Sequence, residues 1–276
     1  MKEDTEVTTW PELLTALYDI PKGKHARYRS DYVYRGVANK EWGLQTSLQR
    51  LGSKNIEVPM RRSFRKYAKP GEIPSTNLWF ELAIAQHHGL PTRVLDWSVS
   101  PMVAAHFATY EEEHFDKDGA IWCVNAERVR ELLPDALAKI LFPRKAYVFS
   151  VEMLDGITSL EQFDEMSKEN QFVVFFEPPS LDDRIINQNA IMSTMPGVEL
   201  DMLEYLTRPE NAGIFKRIII PKDLKWELRD KLDQNNVTER MLFPGLDGLS
   251  RWLKRYYGPG PNKNAEEKEA LPTERR

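Results

Sequence analysis

The segment from Leu82 to Ala108 constrains this chain most, because polar residues separate two apolar runs that are each typical of a core helix. Gly89 and Pro91 interrupt the first helical pattern, and apolar periodicity resumes at Met102. The polar residues between the runs are Gln86, His87, His88, Arg93, Asp96 and Ser98. Burying so many donors and acceptors is costly unless each finds a partner. The segment is therefore predicted to be either a structural cluster whose polar side chains hydrogen-bond to one another or a binding site.

Composition narrows the class of protein. A chain of 276 residues with 41% hydrophobic content can bury a large core, and its formal net charge of −4 gives no overall attraction to nucleic acids or anionic membranes. A single cysteine, Cys123, excludes an internal disulfide and a zinc site built on thiolates. The sequence has no apolar run near the ~18 residues of a membrane span, and its opening segment lacks the apolar core of a signal peptide. We therefore expect a soluble, cytoplasmic protein.

Strand-like runs alternate with helical patterns along the chain, which predicts an α+β (mixed α/β) fold. The predicted strands cover residues 31–37, 120–124, 146–151, 172–176, 190–193 and 217–220. The predicted helices include those that begin at Asn77 and Pro101 and those over 224–233 and 245–257.

The same patterns divide the chain into three parts. An N-terminal helical segment is predicted over residues 1–27 and a single main domain over 28–257. Within that domain, the acidic stretch that ends at Asn170 is expected to be mobile. Residues 258–276 are charged and nearly free of large apolar side chains, so a disordered tail is predicted there.

Several motifs, in a fixed order, resemble those of the FRG domain, which is named for an aromatic-Arg-Gly signature. The motifs are Tyr34-Arg35-Gly36, QHHGLPTRVLDWSVSPMVAAHFA at 86–108, RIINQNA at 184–190 and LFPGLDGL at 242–249. The resemblance covers roughly residues 28–257, with tyrosine in place of the eponymous phenylalanine. The last motif carries little chemistry of its own, and we assign it a structural role.

A weaker similarity links three of these parts to ADP-ribosyltransferases. They are Arg35 at the end of a strand, the segment from Trp97-Ser98 to Ala108, and Gln188 before a late strand. The similarity implies two small sheets that form a cleft, flanked by helices, with NAD bound as a substrate. Arg35 and Gly36 would form one wall of this cleft and the loop from Asp96 to Ser98 the other.

The residue types suit this chemistry. A guanidinium grips a pyrophosphate in bidentate fashion, and glycine allows close approach to the nicotinamide. The implied NAD-binding residues are Tyr34, Arg35, Gly36, His87, Asp96, Trp97, Ser98 and Phe107. The implied catalytic residues are Arg35, His88, Gln188 and Glu177. No metal is expected, because adjacent histidines do not easily face one ion from a regular helix.

Structural interpretations stand beside these assignments. Arg35 would pair with an acid such as Asp96, the histidines would pack at a helix end, and Ser98 or Ser100 would cap the next helix. Gln188 brings no negative charge to the catalytic position, so the catalytic group is left open between Gln188 and Glu177.

Two functions from different classes follow. The first is an NAD-dependent ADP-ribosyltransferase-like effector that modifies a nucleic acid or protein, as a toxin or antiphage-defence protein with an antitoxin or inhibitor partner. The alternative is a non-catalytic FRG binding module that recognises a nucleotide, nucleic acid or protein.

Overall fold

The computed structural model describes residues 4–19, 27–52, 55–168 and 170–260. Eight strands form one mixed sheet in the order β1-β8-β4-β2-β3-β7-β6-β5. Their bounds are β1 Asp4–Glu6, β2 Tyr32–Val37, β3 Val94–Ser98, β4 Gly119–Asn125, β5 Phe149–Ser150, β6 Val174–Glu177, β7 Ala190–Thr194 and β8 Phe215–Ile220.

Thirteen α-helices connect and cover the strands in the described part of the chain. They are α1 Trp10–Tyr18, α2 Ser47–Arg50, α3 Glu57–Tyr67, α4 Leu78–His87, α5 Pro101–Ala108, α6 Ala126–Glu131, α7 Asp135–Leu141, α8 Leu160–Glu165, α9 Asp183–Asn187, α10 Met202–Leu206, α11 Lys225–Gln234, α12 Glu239–Leu242 and α13 Leu246–Tyr257. None of the described helices is long and apolar enough to cross a membrane. The α+β class predicted from the sequence is confirmed.

The two small sheets expected from the transferase resemblance are instead one continuous sheet. Its two halves, β1-β8-β4-β2 and β3-β7-β6-β5, meet where Tyr34 of β2 pairs with Ser98 of β3. That is the single registered pair between these strands, whereas six pairs join β2 to β4 and five join β3 to β7. The sheet therefore has a narrow waist at Tyr34 and Ser98.

The apolar core differs between the two faces of the sheet. On one face a single cluster crosses the waist and includes Val33 of β2, Trp97 of β3 and Trp122 of β4. On the other face the cluster under α1, α5 and α11 is separate from the cluster under α4, α7 and α8. On that second face, the helices that reach the waist are α4 and α5, the two helices that flank the polar segment of the sequence.

Several segments differ from the sequence prediction. Helix α8 lies inside the acidic stretch that was expected to be mobile, because Leu160 and Phe163 are buried and anchor it. The predicted strand over 146–151 contracts to Phe149–Ser150. Strand β1 was not predicted, and it pairs in parallel with β8. Most of the predicted tail, residues 261–276, lies outside the described residues.

Candidate functional site

Three parts of the sequence pattern meet at the waist. Tyr34 of β2 lies opposite Ser98 of β3, and Ser98 lies opposite Ala190 of β7, so the three residues form one row across neighbouring strands. The Ser98 hydroxyl donates a 2.6 Å hydrogen bond to the main-chain carbonyl of Gln188. We call this place the strand junction. The cap of α5 is Ser100, whose side chain accepts from the N–H of Val103, so Ser98 is not the helix cap.

Arg35 lies in the gap where β2 and β3 diverge beyond the junction. Its side chain shares one face of β2 with Val33 and Val37, and its Nη1 donates a 2.6 Å hydrogen bond to the main-chain carbonyl of Asp96. Its Nε atom is buried, with no hydrogen-bond partner in the described residues. Burial lowers the pKa of Arg35, and the charge of Asp96 acts in the opposite direction. Arg35 is thus a partly buried cation that spans the gap and retains unused donor capacity.

Asp96 is exposed, its side chain lies on the α4 side of the sheet, and a short chain of hydrogen bonds orients its carboxylate. Gln86 of α4 donates from Nε2 to Oδ2 of Asp96 at 2.7 Å, and Thr92 donates from its hydroxyl to Oε1 of Gln86 at 2.5 Å. Asp96 is not among the acidic partners of Arg93. Arg93 instead forms buried ion pairs with Glu57 and Asp164.

Three residues proposed to contact NAD serve the internal packing of the protein instead. Tyr34 is 1% exposed, and Trp97 is 4% exposed and donates from Nε1 to the Ser193 hydroxyl at 2.7 Å. Neither ring has a face open to a ligand. A Cβ atom on Gly36 would lie 1.8 Å from the carbonyl oxygen of Ala104, so this glycine allows α5 to pack on β2. Their expected role as nicotinamide contacts is corrected to a structural one.

The two residues considered for the catalytic position lie apart. Gln188 is at the junction, but its side-chain amide donates to the main-chain carbonyl of Leu242 at 2.9 Å. Glu177 is exposed at the end of β6, and β7 lies between β6 and β3. The fold therefore does not bring Glu177 next to Ser98.

His87 and His88 line a second feature, an open cleft of about 450 Å³ between the end of α4, the start of α9 and the α12–α13 connection. His87 Nε2 lies 2.7 Å from Oδ2 of Asp182, the residue that caps α9. Burial disfavours the charged form of Asp182, but hydrogen bonds from the Ile185 N–H and from His87 outweigh it and lower the pKa of this carboxyl. We call this feature the histidine cleft.

Aromatic and basic side chains form the other wall of the histidine cleft. The guanidinium groups of Arg184 and Arg251 lie 5.0 and 5.9 Å from the ring centre of Phe243. Phe107 contacts Phe243 edge to face, with 6.1 Å between ring centres. Of the three aromatic residues proposed to bind NAD, Phe107 is thus the one that packs against the wall of an open cleft.

The LFPGLDGL motif at 242–249, assigned from the sequence to a structural role, also contributes to the histidine cleft. Phe243 and Asp247 of this motif line the histidine cleft. Asn187 and Gln188 both donate side-chain hydrogen bonds to the main chain of α12, which holds the motif there. These contacts join segments that are far apart in sequence, so no local sequence pattern predicts them.

Comparison with known proteins supports the first resemblance. The family model of the FRG domain matches residues 30–117. The chain carries an FRG domain. The match includes Arg35, His87, His88, Asp96 and Ser98, and it ends before the residues of α9, β7 and α12 that complete the junction and the histidine cleft. No solved structure matches this FRG-domain protein.

Proposed function

We propose that this FRG-domain protein is an ADP-ribosyltransferase-like protein that binds NAD at the strand junction and transfers ADP-ribose to a macromolecule. One observation carries the proposal. The three segments of the transferase pattern, distant in sequence, lie on the neighbouring strands β2, β3 and β7 and share one row at the waist of the sheet. If the likeness of these segments to the transferase pattern were accidental, we would have no reason to expect the three segments to lie side by side in the fold.

Arg35 supports the binding step. A guanidinium with an unpartnered, buried Nε atom gains a strong, charge-assisted hydrogen bond when a phosphate oxygen reaches it. The low-polarity surroundings that lower its pKa also strengthen its attraction to an anion. We assign Arg35 to the pyrophosphate of NAD.

Asp96 supports the chemical step. In the proposed reaction the bond between ribose C1′ and the nicotinamide nitrogen breaks, and nicotinamide leaves with the electron pair. A nucleophile on the acceptor forms the new bond to C1′ and releases its proton. The positive charge that develops on the ribose favours a nearby carboxylate. We assign this role to Asp96, an exposed carboxylate in the residue whose main-chain carbonyl accepts from Arg35, in preference to the neutral Gln188 or the distant Glu177.

The histidine cleft supplies a place for the acceptor. Gln86, which contacts Asp96, directly precedes His87, so the cleft begins next to the junction. His87 is held by the Asp182 carboxylate, an arrangement that suits a group receiving a proton from the acceptor nucleophile. We assign His87 to this step, and His88 to contact with the acceptor.

The test is nicotinamide release from NAD by the purified protein, with and without cellular nucleic acid and protein extracts, using NAD labelled in the ADP-ribose part. We expect label transfer that Arg35→Ala abolishes and that Arg62→Ala, an exposed arginine of α3, leaves unchanged. Thermal unfolding of both variants checks that they fold. Absence of NAD binding at millimolar concentration would contradict the proposal. In the proposed setting of a toxin or defence effector, Arg35→Ala also removes growth inhibition on expression.

A non-catalytic binding module is the second candidate, and the side chain of Gln188 favours it. This residue is neutral, and its amide is held by the Leu242 carbonyl instead of pointing freely into the junction. In this case the FRG domain binds a nucleotide, a nucleic acid or a protein and catalyses no reaction on it. NAD binding measured by calorimetry, with no nicotinamide release in any extract, would favour this function over the transferase.

A further inference from the structure

Helix α13 presents a row of apolar side chains to solvent. Leu246 and Tyr257 are each 79% exposed and Leu253 is 38% exposed. Their spacing of seven and four residues places all three on one line along the helix. Leu249 and Tyr256 extend this surface on one flank, and Tyr256 is 57% exposed. We call these five residues the α13 seam.

The opposite side of α13 is fixed to the body of the protein. Arg255 is 7% exposed and donates to Asp233 at 2.6 Å and to Glu239 at 2.7 Å. A Cβ atom on Gly248 would lie 1.9 Å from the carbonyl oxygen of Phe243, so the helix is closely packed there. The seam therefore faces away from the core and cannot turn inward without breaking buried ion pairs.

Charges on the second flank of the seam differ at its two ends. Asp247 lies in the first turn of α13 and Lys254 two turns later, seven residues apart and on the same side of the helix. In an antiparallel pair of such helices, Asp247 of one copy lies near Lys254 of the other, on both sides of the two-fold axis. In a parallel pair the two charged flanks lie on opposite sides of the contact, so Asp247 and Lys254 have no charged counterpart there. The charge pattern is thus complementary to itself in one orientation.

We propose that the α13 seam binds the α13 seam of a second copy of this chain in an antiparallel, two-fold symmetric dimer. Leu253 and Leu246 would fill the centre of the contact, Leu249 and Tyr256 would pack along one flank, and the two charge pairs would lie along the other. A helix of 12 residues is ~18 Å long, so the contact is small and the dimer dissociates readily.

The test is sedimentation equilibrium of the full chain over a range of concentrations. We expect the average mass to rise from 32.1 kDa toward twice that value with concentration. Leu253→Glu is expected to hold the protein as a monomer throughout. Tyr67→Glu, at a 77% exposed position on α3, is the matched control and is expected to dimerise like the unaltered chain.

Charge exchange tests the orientation. Lys254→Asp places two like charges at each contact, and we expect the dissociation constant to rise about tenfold. Adding Asp247→Lys restores opposite charges across an antiparallel contact and should return the dissociation constant toward its original value. Circular dichroism checks that each variant keeps its helices. A monomer at all concentrations, a dimer that Leu253→Glu leaves intact, or no recovery in the double variant would each overturn the proposal.

Discussion

Gly36 and Arg35 are neighbours on β2, yet the fold uses them in opposite ways. Gly36 faces α5, where the carbonyl of Ala104 leaves no room for a side chain, and Arg35 faces the gap beside β3. The sequence predicts that a glycine here permits a close approach. It does not reveal whether a ligand or a helix makes that approach, because the contact depends on how α5 packs.

Replacing Gly36 with alanine is expected to lower the free energy of unfolding by about 3 kcal/mol, because the new methyl group must displace the backbone of α5. Gly43→Ala is the matched control. A Cβ atom at Gly43 would meet only the flexible end of Leu203, at 3.7 Å. Urea unfolding of both variants measures the difference, and equal stabilities would show that α5 does not pack closely on β2.

At the scale of elements, buried ion pairs and hydrogen bonds link the C-terminal helices to α5. Arg229 of α11 donates to His106 of α5 at 2.9 Å and to Glu239 of α12 at 3.1 Å. Arg255 of α13 donates to the same glutamate at 2.7 Å. His106 is an interior histidine and is 0% exposed. Four helices that are separate in sequence therefore share one ionic network.

This network makes stability sensitive to acid. Burial and the charge of Arg229 lower the pKa of His106 to about 3. Below pH 6.5 the unfolded chain binds a proton at this histidine and the folded chain does not, so stability falls as the pH falls toward 3. Burial disfavours ionised Glu239, but Arg255 and Arg229 outweigh it and lower its pKa to about 2. Its stabilising contribution, complete above pH 4.5, is lost between pH 4.5 and 2.

The free energy of unfolding in urea, measured from pH 7 to pH 4, is expected to decline by up to about 1.4 kcal/mol per pH unit through His106 alone. His106→Gln removes this part of the slope, although the variant is less stable at pH 7. His114→Gln changes a partly exposed histidine and should keep the slope. A slope that is the same in all three proteins would contradict the assignment.

Elements with a strong local pattern were predictable, and those that depend on distant partners were not. Helices α4, α5, α11 and α13 and strands β2, β4 and β8 lie close to their predicted positions, because apolar periodicity and caps specify them. Strand β1 has three residues, with no apolar side chain among them, and exists through its pairing with β8. The site divides in the same way, since its polar segment was visible in the sequence and the contacts of α12 with Gln188 were not.

At the scale of the whole molecule, the matched segment spans both halves of the sheet. Strand β2 pairs over most of its length with β4, and β3 pairs over its full length with β7. Both β4 and β7 lie beyond residue 117, the end of the matched segment. Within residues 30–117 the two strands share only the pair of Tyr34 with Ser98. The segment that carries the family signature therefore has no complete sheet of its own.

A fragment of residues 30–117 is expected to be unfolded, because its strands leave their hydrogen-bonding groups unpaired and their apolar faces uncovered. A fragment of residues 4–260 contains every described strand and should fold cooperatively. Circular dichroism and amide proton dispersion distinguish the two states. A stable, cooperatively melting 30–117 fragment would show that the signature segment folds independently.

The single residue pair between β2 and β3 also limits which parts of the gene can be exchanged by recombination. A recombination event that carried only the signature segment into another gene would deliver two strands without neighbours, and the recipient would gain an aggregating insertion instead of a working domain. For this chain, a segment that a genome can usefully exchange must also carry β4 and β7, the strands that pair with β2 and β3.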